Sequence, residues 1–372
     1  FAPGGIVGEY NMRRWINFTV IVMLVLFVAI AGYGQHPGMV SKYVYMLDNA
    51  GVTQSRLSGI SLPEISGTWY HVNPEDGENK AGGGLTKDDA LANLSYAYSL
   101  CESGEGDGII LHSSGTTTAN TTSYLDESIA WSKHGITVFG VSAPTGMFQR
   151  SRVADGSGVD DCESLIELTG DNTTFYNVHF YNSPDDSLEG EDLALHTAVD
   201  VSGSRNAFIN CHFATVPDAA TAYKSDVIVD GAQEIDFIGC TFGTDTYDAG
   251  DNAACHVLLD GECYRLNFDR CKTVAQVSTG TAFGAVKSAD ASSIGMSIWF
   301  SDCTFSVAQA NTGVPSMASW FIGTAPTTGA LCLRSCASFG YAAWDSDGDN
   351  NRVYSDMPTS AASAGGGIAT TN

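Results

Sequence analysis

Three lines of this chain repeat one another, and they constrain its fold more than any other feature. Residues 165–242 contain LIELTGDNTTFYNVHF, then AVDVSGSRNAFINCHF, then VIVDGAQEIDFIGCTF. Each copy is a short apolar strand, a turn of small residues with a glycine, a few polar residues, and a second strand closing on an aromatic. Copies of one unit at near-constant spacing mark a solenoid, in which each unit buries its apolar face only against its neighbours.

The pattern extends beyond these lines. Further second strands read LNFDRC, WFSDCTF and LCLRSCASF. Equivalent positions are Val178, Cys211, Cys240, Cys271, Cys303 and Cys336, at steps of 33, 29, 31, 32 and 33 residues. Such a step holds about three short strands and three turns, and it lacks the signatures of leucine-rich repeats and propeller blades. The sequence therefore predicts an all-β chain, a right-handed parallel β-helix. In that fold equivalent residues stack, so the Val/Cys column becomes one internal ladder and the phenylalanines another. Half of the ten cysteines fall in the column, which predicts reduced thiols packed as small hydrophobes. Glycines align in the turns at Gly170, Gly203, Gly231 and Gly261, where a positive φ is expected.

A solenoid needs its open end covered. Residues 86–103 carry Ala90, Leu91, Leu94, Ala97, Tyr98 and Cys101 at helical spacing, with Thr86 as N-cap and Asp88 and Asp89 in the first turn. They predict one capping helix. Residues 67–73, 106–114 and 135–141 read as strands, and residues 116–123 as a Thr-rich surface loop.

Residues 15–32, WINFTVIVMLVLFVAIAG, are almost wholly apolar and follow Arg13 and Arg14. They suit a separate hydrophobic helix: a signal peptide, an anchor, or an upstream extension ahead of Met39. The expected organisation is a hydrophobic segment over 1–33, a linker over 34–66 with a strand near 43–47, a β-helix over 67–345 whose last rung ends near Tyr341, and a flexible tail over 346–372. Membrane contact is expected only through residues 15–32.

The formal charge is −25, from 42 acidic and 17 basic residues. That argues against a nucleic-acid groove, which needs clustered cations. Candidate catalytic acids lie in PDDSLEGEDL: Asp185, Asp186, Glu189 and Asp192, with Arg205 as a base or charge clamp. Asp185, Asp186 and Glu191 could hold calcium, the one cofactor the sequence admits. Asp160 and Asp161 form a second acidic pair, and Arg265 and Arg270 are further basic candidates. His179 and His212 each sit one residue after the ladder, so alternation turns them outward, to stack on the surface.

The order GTWYHVNPEDG, GGGLTKDDALANLSYAYSLC, GDGIILHSSG, HGITVFGVS, then NCHF and GCTF rungs, resembles the right-handed β-helix proteins encoded beside capsid genes in tailed-phage genomes. The hydrophobic segment before Gly32 departs from that family's pattern. The resemblance implies a pectate-lyase-like fold and a non-enzymatic virion component that binds glycans, other virion proteins or itself, as a homotrimer. The alternative is a secreted or anchored polysaccharide lyase or hydrolase, extracellular or at the cell surface. An enzyme should bring acids and cations together along one sheet; a structural protein should show Ser, Thr and Asn there.

Overall fold

A computed structural model of the chain describes residues 56–57, 60–61, 65–112, 122–141, 151–155, 162–183, 196–216, 225–246, 255–277, 283–309, 317–323, 328–345 and 353–356. Two compact units divide at Pro63. In the first, Arg56–Leu57 and Ile60–Ser61 pair antiparallel. The hydrophobic segment 15–32 and the expected strand near 43–47 lie outside the described residues.

The second unit is a parallel β-solenoid of three sheets, with 10, 8 and 8 strands. The chain visits the first, second and third sheets in turn, and every neighbouring pair of strands within them is parallel. Parallel crossovers of this kind take the right-handed sense. One coil runs Thr174–Tyr176, His179–Asn182, Thr197–Val201, and the next runs Ala207–Ile209, His212–Thr215, Ser225–Asp230.

Corners are made by left-handed residues. Between the first and second sheets lie Asn177, Asn210, Gly239, Arg270, Asp302 and Ser335, with φ of 56, 52, 64, 53, 54 and 51°. Each strand pair that reads as one segment in sequence, such as FYNVHF, is thus two strands broken at this residue. The ladder residue follows it, and all six from Val178 to Cys336 are at most 2% exposed. Each thiol donates to the carbonyl of the phenylalanine one coil earlier: Cys211 to Phe175 (3.4 Å), Cys240 to Phe208 (3.2 Å), Cys271 to Phe237 (3.2 Å), Cys303 to Phe268 (3.3 Å) and Cys336 to Phe300 (3.3 Å). None of the ten cysteines is joined in a disulfide, and nine are buried.

The phenylalanines form two files. Phe175, Phe208, Phe237, Phe268 and Phe300 stack from the first sheet at centroid spacings of 5.3, 5.1, 4.7 and 4.4 Å. Phe180, Phe213 and Phe242 stack from the second at 5.4 and 5.2 Å. Edge contacts such as Phe208–Phe213 (5.3 Å, 75°) knit the files together. An aromatic pair of this geometry adds about 0.5–1.5 kcal/mol to simple burial.

Several expectations change. Residues 86–103 are not one helix: a 3-10 turn spans Lys87–Asp89 and an α-helix, α1, spans Leu94–Leu100. Leu91 between them bridges Val72 as a strand residue, and that edge pairing wins over local helix propensity. Thr86 makes no capping bond; Asn93 caps α1 by accepting from Tyr96 N at 2.9 Å. Leu94, Ala97 and Tyr98 are buried, and Tyr98 stacks on Trp131 at 4.2 Å. Lys133 closes the other end of α1, its Nζ donating to the carbonyls of Tyr98, Ser99 and Cys101 at 2.8, 3.0 and 2.8 Å.

The Thr-rich loop is partly a strand, Thr122–Leu125, which completes a first full coil with Gly108–Leu111 and Ile129–Trp131. At the other end, Tyr341–Asp345 is followed by one more first-sheet strand, Val353–Ser355. Gly231 and Gly261 take positive φ (63 and 53°), but Gly170 and Gly203 do not. There a Cβ would strike backbone, Lys133 O and Gly170 O respectively, so glycine is required by close approach.

Candidate acidic face on the third sheet

Residues on the third sheet alternate between core and exterior. Leu168, Val201, Val229 and Leu259 face inward in one register column. The position before each faces out, giving the column Glu167, Asp200, Ile228, Leu258, Lys287. Two positions on, Asp230 pairs with Asp260. Four carboxylates therefore gather at the carboxyl end of neighbouring strands.

They are not equivalent. Asp260 Oδ1 accepts from Gly261 N at 2.7 Å, a turn-building bond. Asp230 likewise precedes a left-handed glycine. Asp200 has no such task. It is partly buried, and its Oδ1 is enclosed without a hydrogen-bond partner. Burial, then repulsion from Asp230, Glu167 and Asp260, pushes its carboxyl up from 3.8 to about 6. A carboxyl perturbed by burial and like charges makes Asp200 a candidate functional position.

A second polar layer lies where the second sheet passes to the third. Arg152 Nε donates to His179 Nδ1 (3.2 Å), and His179 stacks on His212 at 4.2 Å and 8°. His212 Nε2 donates to Gly243 O (2.8 Å). His256 Nδ1 meets Asp226 Oδ2 at 2.6 Å, and Asp226 Oδ1 accepts from Thr215 N at 2.8 Å. The histidines do project from the core face, as alternation requires. They are not on the surface, however: His179 and His212 are 0% exposed, sealed beside Tyr181 and the Gly243 turn. Burial lowers the pKa of His212. Asp155, at the same corner, accepts from Ser183 N at 3.1 Å and is raised to about 6 by desolvation. Asn182 donates to Thr197 O at 2.8 Å and to Cys162 O at 3.1 Å, tying strand ends across the same junction.

Asp185, Asp186, Glu189, Glu191 and Asp192, and the pair Asp160 and Asp161, lie outside the described residues. Arg205 is a left-handed corner residue (φ 56°), paired with Asp171 at 3.5 Å and donating to Asn172 at 3.3 Å. Arg265 and Arg270 occupy similar corners and pair with Glu234 (3.0 Å) and Asp269 (2.8 Å). None of these three ion pairs involves Glu167, Asp200, Asp230 or Asp260. Among the described residues no group of three or more His, Cys, Asp or Glu is set to hold a metal ion.

Glu167 and Asp200 were missed because they sit inside the repeats and read as ordinary polar strand positions. Aligning the turns exposes them, since each lies three residues before a close-approach glycine, Gly170 or Gly203.

No protein-family model matches the chain, and no curated protein matches it. Several solved structures do. A pectate lyase, Pel9A, is 15% identical with a TM-score of 0.47, covering 72% of this chain and 62% of its own. A rhamnogalacturonan lyase is 11% identical with a TM-score of 0.49, covering 73% of this chain and 68% of its own. Pectin methylesterase PemA from Erwinia chrysanthemi is 12% identical with a TM-score of 0.49, covering 81% and 92%. This chain thus spans less than two thirds of the pectate lyase. Likenesses of this size transfer neither an activity nor a residue.

Proposed function

We propose that this chain engages a polysaccharide along the outer face of the third sheet and hydrolyses glycosidic bonds there. Asp200 is the observation that carries the reading: a carboxyl raised to about 6, one oxygen enclosed and unpartnered, beside the solvent-exposed carboxyl of Glu167. Glycoside hydrolysis needs one carboxyl that still holds its proton and a second that does not. Asp200 takes the first role, giving its proton to the leaving-group oxygen. Glu167 takes the second. Register partners on adjacent strands lie about 4.8 Å apart, near the about 5–5.5 Å of a retaining pair. Glu167 would then attack the anomeric carbon, and water would release the sugar. For an enzyme the sequence expects acids and cations together along one sheet; the acids gathered here, with Lys287 farther along the same column, support that reading.

A second reading is a non-catalytic virion or cell-surface component that displays a glycan-binding surface and assembles through its faces or ends. The five-deep phenylalanine and thiol files favour it, since they build a stiff shaft, and Asp260 already serves its own turn.

Incubating the full chain with neutral and uronic-acid polysaccharides, with and without calcium, separates these readings. Hydrolysis predicts new reducing ends, falling as pH rises through about 6 and lost in Asp200→Asn. Binding without product supports the display reading. Unsaturated products would mark β-elimination and overturn the hydrolytic scheme.

A further inference from the structure

The last strands of the first sheet put Trp299, Cys332 and Tyr354 in one register column on its outer face. Trp299 is 47% exposed and Tyr354 62%. Their neighbours Ile298, Phe300, Leu331 and Leu333 are at most 3% exposed, so the openness does not come from loose packing. Asn267 extends the column below Trp299, and Asp269, Ser301 and Arg334 form the column alongside.

We infer that this column is a binding platform for an uncharged, extended polysaccharide, with alternate sugar rings stacking on Trp299 and Tyr354. Rings on alternate strands stand about 9.6 Å apart, twice the strand spacing. An extended glycan advances by nearly one strand spacing per sugar, so sugars one and three meet the two rings. The small side chain of Cys332 leaves room for the sugar between. A sugar offers an apolar C–H face ringed by hydroxyls, and the platform offers aromatic faces flanked by an amide, a carboxylate, a hydroxyl and a guanidinium.

Other occupants fit less well. A buried aromatic ring covers about 150–250 Å², and these two are roughly half open, far short of the about 800 Å² a stable protein partner needs on each side. The formal charge of −25 opposes a second copy of this chain and any polyanion alike. The inference does not rest on hydrolysis at the third sheet, which lies on a different face, and Asp200→Asn leaves the platform unchanged.

The test is titration of the full chain, in the Asp200→Asn background, with neutral β-linked gluco-, xylo- and mannooligosaccharides of two to six sugars, followed by calorimetry. Saturable binding should strengthen up to three sugars and then level off. Trp299→Ala and Tyr354→Ala should each weaken it about tenfold, close to 1.4 kcal/mol. Trp299→Phe and Tyr354→Phe should largely retain it, which separates a lost ring from a lost fold. Oligogalacturonate should bind more weakly than a neutral oligomer of equal length. Absence of binding across the neutral series, or affinity unchanged in both alanine variants, overturns the inference. So does self-association that disappears in Trp299→Ala, because the rings would then serve a second copy.

Discussion

Replacing Asp200 by asparagine should stabilise the fold at alkaline pH and change little below about pH 4. The carboxyl is raised from 3.8 to about 6 in the folded chain. Each unit corresponds to about 1.4 kcal/mol, so the ionised form opposes folding by at most about 3 kcal/mol. Asp200 is only partly buried, and solvent screening brings a realistic figure to about 1–2 kcal/mol. The sign follows from linkage: a folded pKa above the unfolded one means that the favourable contribution is complete below the unfolded value and is lost as pH climbs through about 6. Asparagine cannot ionise and keeps the shape. Urea denaturation of both proteins at about pH 4 and about pH 8 measures the difference. The advantage of the variant should be about 1–2 kcal/mol larger at the higher pH. Asp155 is raised into the same window by burial, so the variant should keep a residual slope that Asp155→Asn removes. Equal advantages at both pH values would refute the electrostatic account of Asp200, and with it the proton assigned to it in hydrolysis.

Phe237→Ala should cost about 3–5 kcal/mol in unfolding free energy, because its ring is stacked between Phe208 and Phe268 and is 0% exposed. Gly203→Ala should destabilise more than Gly231→Ala by thermal melting. A Cβ at Gly203 meets Gly170 O, whereas one at Gly231 meets only Glu262 N at an ordinary 4.0 Å and carries only a left-handed strain of about 1–2 kcal/mol. Thiol titration should find ten reactive cysteines after denaturation but label mainly Cys332 in the native chain, the one cysteine not fully buried; any disulfide in the denatured sample would refute the reduced core. Asn206→Ala should cost about 2–3 kcal/mol by chemical denaturation, because the buried amide accepts from Thr173 N at 2.8 Å and donates to Gly170 O at 2.9 Å.

Most of the shaft was legible from the repeats. The Val178-to-Cys336 column and the phenylalanines sit inside the core because their spacing reflects one residue per coil at a fixed corner. What local pattern could not reveal were contests settled by distant partners. Residues 86–103 have helical spacing throughout, yet Leu91 pairs with Val72, and only the remainder coils into α1. Alternation gave the right face for His179 and His212 and the wrong exposure, since burial there depends on residues of other coils such as Arg152 and Tyr181. The acidic face was invisible for a related reason. Glu167 and Asp200 are 33 positions apart in sequence and become neighbours only through register. The acid run near Asp185 is legible in sequence because its residues are contiguous, and it lies outside the described residues.

The corners differ in how much chain they contain. Six successive coils pass from first to second sheet through two residues, from Asn177 and Val178 to Ser335 and Cys336. Passage from second to third sheet ranges from 1 residue, between Phe339 and Tyr341, to 14, between Asn182 and Thr197. Length can therefore change at one edge without disturbing any strand partner. A lineage carrying this shaft can gain, lose or exchange a loop in one coil while its neighbours keep their registers. For the protein engineer the same edge is where a foreign peptide could be spliced, one coil at a time, with the two-residue corners left untouched.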